Sequence, residues 1–256
     1  MSSETKTERN PWTISLVVLI IWMVIVFGGE LLQAGGTTSL DALVSGGVVY
    51  ALVLAPIFLL IVVASYKWWR QVGLKGPDSW RDLRLLWLPV AFLILIWMLV
   101  ESSGLPEGQA FWFILINTLL VGISEELMFR GILFFGVASK FDWKRAVWIT
   151  AMVFGLIHAL NGFITGNIGA ALLQALMASL FGVWTVALRL RLNTIFPLII
   201  LHWLWDFGVF SLSAPGGVTT IFGAGLPILF AIILFLYGLW LLDGNRKSER
   251  EILPAS

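Results

Sequence analysis

The sequence has no cysteine and few charged residues. Without thiols the chain cannot form disulfides, ligate an iron–sulfur cluster, build a thiolate zinc site or use a cysteine nucleophile. Charged residues make up only 12% and the net charge is +1, so no surplus of cations is available to bind nucleic acid. Hydrophobic residues make up 59%, against roughly 45–50% in a soluble domain. This composition predicts an integral membrane protein whose main partner is the lipid bilayer.

Eight apolar runs approach or exceed the roughly 20 residues that a membrane span needs. They are Trp12–Leu32, Ala42–Ser65, Leu85–Val100, Ala110–Val137, Ala146–Leu160, Ile168–Leu188, Thr194–Leu212 and Thr219–Leu242. The first run exceeds the roughly 7–15 residues of a signal-peptide core, which favours a retained span. No run alternates with the period of two of a barrel strand, so the expected fold class is all-α: a polytopic helical bundle with about eight transmembrane helices and an active site inside it.

The positive charges predict the orientation of these spans. Of the 16 Lys and Arg residues, all except Arg130 lie on one side of an eight-span topology. The charged residues in the loops on the opposite side are all acidic, namely Asp41, Glu101 and Glu107. Because cytoplasmic loops are enriched in Lys and Arg, we expect both termini to be cytoplasmic. Residues 1–256 are predicted to form a single membrane domain, with its motifs at about 111–210 and a short cytoplasmic tail at 243–256.

Six ionisable residues interrupt the apolar runs. They are Glu125, Glu126 and Arg130 in span 4, His158 in span 5, and His202 and Asp206 in span 7. A charge at mid-bilayer costs about 2.5–3.5 kcal/mol on insertion scales, so such groups are candidates for function. At about 1.5 Å per helical residue, the two histidines and the acids Glu125 and Asp206 lie roughly 17–22 Å from the flanking cations. This common depth predicts that the side chains converge.

The spacing within each helix predicts how these groups pair. Glu126 and Arg130 are four residues apart, so they share a helix face and can form an ion pair. His202 and Asp206 have the same spacing. Glu125 is turned by about 100° from Glu126, which leaves it without a compensating cation. A buried carboxylate of this kind is a candidate general base.

Three signatures in this order resemble those of a known family. They are Glu-Glu-x-x-x-Arg, Phe-x-x-x-His and His-x-x-x-Asn/Asp, and the matching residues are Glu125, Glu126, Arg130, Phe154, His158, His202 and Asp206. The sequence is similar to the CPBP intramembrane endopeptidases, which include the type 2 CAAX prenyl endopeptidases and bacterial Abi proteins. The resemblance implies hydrolysis of a peptide bond in a membrane protein or lipidated peptide, such as a prenylated substrate. It further implies that Glu125 and His158 activate water, that His202 and the residue at position 206 stabilise the oxyanion, and that Glu126 and Arg130 organise the site.

Asp206 departs from the asparagine often found at this position of the family. An ionised aspartate cannot donate a hydrogen bond to an oxyanion. It would therefore have to be protonated, orient His202 or bind a metal. If a divalent metal such as zinc is present, its expected ligands are Glu125, His158 and His202, because two histidines and a glutamate are a known catalytic zinc set. Glutamate and histidine can also activate water unaided, so our first expectation is an enzyme that requires no cofactor.

Two other functions stay open at this point. A catalytically silent scaffold or immunity protein could share the fold, because a fold does not fix an activity. A proton-coupled transporter would also place carboxylates and histidines within the membrane, although transporters usually show internal repeats and we find none. The Glu126–Arg130 pair could also serve helix packing alone. Asn117 and Gln174 are predicted to form hydrogen bonds between helices.

Overall fold

A computed structural model of the chain describes residues 10–213 and 225–243. In these two segments every regular element is helical. The helices are α1 (Pro11–Ala34), α2 (Leu40–Gly46), α3 (Tyr50–Tyr66), α4 (Trp80–Ser103), α5 (Gly108–Ala138), α6 (Trp143–Thr165), α7 (Ile168–Leu192), α8 (Phe196–Ser213) and α9 (Gly225–Asp243). The all-α polytopic bundle predicted from the sequence is confirmed.

Six of the described helices, α1 and α4 to α8, are long and apolar enough to cross a membrane. Helices α2 and α3 pass the same test only as a pair, and Pro227–Asp243 of α9 forms a shorter apolar helix. Each predicted span therefore corresponds to a long helix, to the bent pair or to the short helix. The predicted start of the eighth span, at 219–224, lies outside the described residues, as does the tail from 244 onward.

The second predicted span, Ala42–Ser65, is wrong as a continuous helix. The axes of α2 and α3 differ by 83°, and Gly47 at the break is fully extended, with φ 171° and ψ 177°. Asn117 of α5 satisfies the backbone groups that the break exposes: its Nδ2 donates to the carbonyls of Val44 and Gly47 at 2.8 and 2.7 Å. Its Oδ1 accepts from the amide of Val49 at 3.0 Å. Non-helical backbone is tolerated at membrane depth only where the protein satisfies it in this way.

The predicted interhelical hydrogen bonds are confirmed for both amides. Asn117 joins α5 to the α2–α3 break, and Gln174 of α7 accepts from Asn161 of α6 at 2.9 Å. The second bond lies close in sequence to His158, the last residue of the main α-helical part of α6. It therefore ties that end of α6 to α7.

Helices α6 and α7 approach each other closely through small residues. A Cβ atom added at Gly155 of α6 would lie 2.5 Å from the carbonyl oxygen of Ala175 on α7. One added at Gly182 of α7 would lie 2.8 Å from the Cα atom of Ala151 on α6. Small residues at such positions let membrane helices pack backbone to backbone. This contact fixes the part of α6 that contains Phe154 and His158.

The hydrogen-bonding pattern of α5 changes inside the first sequence motif. The helix is α-helical over Gly108–Glu125, π-helical over Glu126–Leu133 and α-helical again over Phe134–Ala138. All eight residues of the π-helical segment are buried. Such π segments occur frequently at functional sites. Here the change falls between the two adjacent glutamates, so a uniform α-helix does not describe how their side chains diverge.

The predicted sixth span, Ile168–Leu188, ends too early, because Arg189, which it leaves to the following loop, is still part of α7. It lies in the last turn of α7 with 4% of its surface exposed. Its guanidinium donates to the carbonyl of Gln71 at 2.9 Å and to Oδ1 of Asn193 at 2.8 Å. Gly73 has φ 82°, and a Cβ there would lie 2.7 Å from the guanidinium carbon. The carbonyl of Gly73 also accepts from the amide of Ile195 at 3.0 Å, which fixes the chain just before α8.

Asp78 extends this network at the cation-bearing end of the bundle. Its Oδ2 accepts from Nδ2 of Asn193 at 2.8 Å, and its Oδ1 accepts from Lys75. Partial burial alone would raise the pKa of Asp78, but the hydrogen bonds from Lys75 and Asn193 outweigh it and lower that pKa below its ordinary value. The carboxylate is therefore ionised at neutral pH, as the network requires.

Candidate active site

The six residues singled out by the sequence lie on three helices. Helix α5 carries Glu125, Glu126 and Arg130, α6 carries His158, and α8 carries His202 and Asp206. The α-to-π change in α5 falls at the glutamate pair. Helix α8 packs along α5, which brings its histidine to these carboxylates.

His202 is the centre of the site. Its Nδ1 lies 2.8 Å from Oε1 of Glu126. Its Nε2 lies 3.3 Å from Oδ2 of Asp206 and 3.8 Å from Oε2 of Glu125. Ionised carboxylates only accept hydrogen bonds, so this arrangement suits an imidazole that carries hydrogen on both nitrogens. Three carboxylates from two helices thus surround a single histidine.

Glu126 and Arg130 form a buried ion pair. Oε1 of Glu126 lies 3.0 Å from Nη1 of Arg130, and each side chain is only 1% exposed. The guanidinium also donates from Nε and Nη2 to the hydroxyl of Thr185 on α7, at 2.9 and 2.5 Å. Its carbon lies 3.9 Å from the centre of the Phe154 ring, within the range of a cation–π contact. The pair expected from i,i+4 spacing therefore has further partners on α6 and α7.

Glu125 differs from Glu126 in its surroundings. Its side chain is 15% exposed, against 1% for Glu126. Oε2 has no hydrogen-bond partner among the described residues in either carboxylate, but Oε1 of Glu126 lies against Arg130 and His202. The carboxylate of Glu125 lies near His158, His202 and Asp206. Glu125 is therefore a site carboxylate with an oxygen free to receive a proton.

His158 is held by its own helix. Its Nδ1 lies 2.8 Å from the carbonyl oxygen of Phe154. A carbonyl oxygen can only accept, so Nδ1 carries the hydrogen and the neutral ring has its lone pair on Nε2. The Phe154 ring lies edge-on to His158 at 4.9 Å and to His202 at 6.4 Å. Phe154 thus lies against both histidines.

The exposure of these side chains changes along the site. Glu126 and Arg130 are sealed at 1%, whereas His202 and Asp206 are 17% and 21% exposed. The partly accessible side chains of the site are therefore those of Asp206, His202 and Glu125. Glu126 and Arg130 form the buried part of the site.

The donor set does not fit a metal centre. In the two described segments, no group of three or more His, Asp and Glu side chains is arranged to hold a metal ion. Nδ1 of His202 is occupied by Glu126, and its Nε2 faces Asp206. The ligand set expected for zinc, Glu125 with His158 and His202, is therefore not gathered around one point.

Two residues near the site were missed in the sequence. Thr185 binds Arg130, but a threonine in an apolar helix gives no signal that separates it from a packing residue. Glu30 of α1 lies close enough to Glu125 for their charges to interact. Both contacts join helices that are distant in sequence, so spacing along the chain does not predict them.

These features define a class of protein: a polytopic membrane bundle with a buried glutamate–histidine site. Residues 107–208 match the family model described as type II CAAX prenyl endopeptidase, Rce1-like. The matched segment contains all six site residues and covers nearly the same region as the motif core expected from the sequence. The resemblance to the CPBP and CAAX endopeptidase family is thus confirmed for this part of the chain, and that family is one of proteases. A comparison with curated proteins gives no significant match.

Proposed function

We propose that this protein is an intramembrane endopeptidase that hydrolyses a peptide bond with water activated by Glu125 and His158. The observation that carries this proposal is the arrangement around His202. Glu126 occupies its Nδ1, Asp206 and Glu125 lie beside its Nε2, and Glu125 keeps an unpartnered oxygen. Peptide hydrolysis needs a general base, here Glu125, and a hydrogen-bond donor to the oxyanion, here His202. Glu126 is the buried carboxylate that orients this donor.

In the first step, Glu125 and Nε2 of His158 act on the same water. One accepts the proton of the water while the other holds the molecule in place, and the water oxygen forms a bond to the substrate carbonyl carbon. The carbonyl π electrons move to the oxygen and create an oxyanion. In the second step the oxyanion collapses, the C–N bond breaks, and the departing amine takes the proton that the water gave up. The atoms and charges balance without an additional reactant.

His202 is the proposed donor to the oxyanion. The contact of its Nε2 with Asp206, at 3.3 Å, is longer than the usual hydrogen bond to a charged acceptor, so this hydrogen can be shared with a substrate oxygen. Loss of one such donor typically costs about 2.7–4 kcal/mol of transition-state stabilisation. Of the three roles left open for Asp206, its position beside Nε2 favours orientation of His202.

The proposed substrates are membrane-associated or prenylated proteins and peptides. The site lies on helices long and apolar enough to span the bilayer, so a scissile bond must be brought to that depth. A lipid chain buried in the bilayer supplies this attachment, and the family match to CAAX prenyl endopeptidases points the same way. We further propose that both termini are cytoplasmic, on the basis of the distribution of Lys and Arg.

The test uses the purified full-length protein in detergent and in liposomes. The probes are a farnesylated CAAX peptide and the same peptide without the lipid, and the products are identified by mass spectrometry. We expect the wild-type protein to cleave at least the lipidated peptide, and Glu125→Gln to be inactive or nearly so. Glu101→Gln, at an exposed position on α4, is the control. If the wild-type protein cleaves neither peptide, the proposal fails and the silent scaffold is favoured. If Glu125→Gln cleaves the peptides as fast as the wild type, the proposed role of Glu125 is refuted.

A chelator arm tests the absence of a metal requirement. We expect cleavage to continue after treatment with a chelator, because no described cluster is arranged to hold a metal ion. Activity that is lost on chelation and restored by zinc would contradict the metal-free mechanism. It would leave the peptidase assignment in place.

A further inference from the structure

We infer that Thr185 is a positioning residue for the active site, whose hydroxyl fixes the orientation in which Arg130 holds Glu126 against His202. This inference rests on the proposed function for its catalytic consequence. Thr185 lies on α7, outside the three sequence motifs, and is 7% exposed. None of its contacts with the site follows from spacing along the chain.

The hydroxyl of Thr185 is fully used. A hydroxyl has one hydrogen to donate and two lone pairs to accept. Here the oxygen accepts from Nε and from Nη2 of Arg130 at 2.9 and 2.5 Å. Its hydrogen points to the turn of its own helix, where the carbonyl oxygens of Phe181 and Gly182 lie at 3.0 and 3.1 Å. The hydroxyl is thus anchored by α7 and binds one edge of the guanidinium through two of its nitrogens.

The guanidinium transmits this restraint because it is planar and rigid. Fixing Nε and Nη2 also fixes Nη1, the nitrogen that lies 3.0 Å from Oε1 of Glu126. The guanidinium carbon lies over the Phe154 ring, 3.9 Å from its centre. With Arg130 only 1% exposed, bulk water is not available to replace the threonine.

The next link is a single shared oxygen. Oε1 of Glu126 lies 3.0 Å from Nη1 of Arg130 and 2.8 Å from Nδ1 of His202. A shift of the guanidinium therefore moves the atom that orients the imidazole. Since Nε2 lies on the opposite side of the same ring, the donor to the oxyanion moves as well.

The variant Thr185→Val keeps the branched shape but removes the hydroxyl. It leaves two donors of a buried guanidinium without an acceptor, so the group must reorient. We expect kcat to fall roughly 10- to 100-fold, the size of effect that a displaced reacting group produces, with KM unchanged. Thr185→Ser retains the hydroxyl and should recover most of the lost kcat.

The matched control is Thr118→Val on α5. Thr118 is also buried, and its hydroxyl donates to the carbonyl of Ile114 at 2.7 Å. Like Thr185, Thr118 donates a hydrogen bond to a carbonyl of its own helix. Unlike Thr185, it has no hydrogen bond to an arginine in the described structure. We expect Thr118→Val to keep the wild-type kcat. Equal kcat values for Thr185→Val, Thr118→Val and the wild type would overturn the inference.

A second readout does not depend on activity. The chain has two histidines, so ring nitrogen-15 NMR of histidine-labelled protein gives signals from two rings, assigned with the variant His158→Asn. Thr185→Val should shift the signals of His202 and leave those of His158 in place, whereas Thr118→Val should shift neither. If the wild-type protein cleaves no peptide but His202 shifts, the proposed function fails and the positioning role stands. Unshifted His202 signals in Thr185→Val would refute the positioning role.

Discussion

Removing the charge of Glu126 should destabilise the fold more than removing the charge of Arg130. Both side chains are 1% exposed, and breaking a buried ion pair by deleting one partner typically costs about 3–5 kcal/mol. In Glu126→Gln, Arg130 loses its charged partner at 3.0 Å, and its remaining close contacts include the neutral hydroxyl of Thr185 and the Phe154 ring. In Arg130→Met, Glu126 still has Nδ1 of His202 at 2.8 Å, so the remaining charge is partly compensated.

The double variant separates stability from activity. Combining Glu126→Gln with Arg130→Met removes both charges, and replacement of a buried pair by uncharged groups is often close to neutral. We therefore expect the double variant to be more stable than Glu126→Gln alone, although Nδ1 of His202 loses its carboxylate partner in both. We expect low peptidase activity in Glu126→Gln and equally low activity in the double variant, because in both Nδ1 of His202 no longer faces a carboxylate.

The assay is unfolding of the four proteins in mixed micelles at increasing fractions of SDS, followed by tryptophan fluorescence, with peptide cleavage measured on the same samples. The coupling free energy follows from the double-mutant cycle. Strictly additive losses of stability in the double variant would show that the ion pair contributes no coupling. A larger loss for Arg130→Met than for Glu126→Gln would contradict the compensating role of His202.

Three further predictions follow from the site, the fold and the charge distribution. Turnover by Glu125→Gln should fall roughly 10²- to 10⁴-fold, and His158→Ala should show a similar loss. The double variant should be little worse than either single variant, because the two residues act as a unit. Fully additive losses in kcat would contradict this. Asn117→Leu should lower the free energy of unfolding by about 1–3 kcal/mol for each backbone group left unsatisfied at the α2–α3 break. The control Ile116→Leu, at the exposed neighbouring position, should have little effect. Equal unfolding curves for the two variants would contradict the role of Asn117. Reporter fusions should read as extracytoplasmic after Gly36, Gly104 and Asn161, and a cytoplasmic signal at any of them would contradict the predicted orientation.

Local chemistry made much of this protein predictable. The excess of apolar residues requires a membrane solvent, and a lipid environment leaves helices as the structure that satisfies the backbone of these runs. The cost of placing charge in lipid singled out Glu125, His158 and the other ionisable residues. The i,i+4 spacing paired Glu126 with Arg130 and His202 with Asp206, since positions four apart in a helix are neighbours whatever the helix packs against.

Contacts between helices were decided by the tertiary structure. The sequence contains Gly46 and Gly47, but the 83° break needs Asn117, which lies about 70 positions away, to satisfy its backbone. The spacing within α5 did not show that it becomes π-helical at Glu126, because that change depends on how the buried segment packs.

The same limit applies to the active site. Spacing within α5 and α8 gave the two local pairs, but the contact between Glu126 and His202 spans 76 positions, and the contact between Arg130 and Thr185 spans 55. Helical periodicity fixes neighbours within about one turn. Partners on other helices depend on the angle and depth at which those helices cross. The sequence therefore determined which groups are costly to bury, and the packing of α5 against α7 and α8 decided which of them meet.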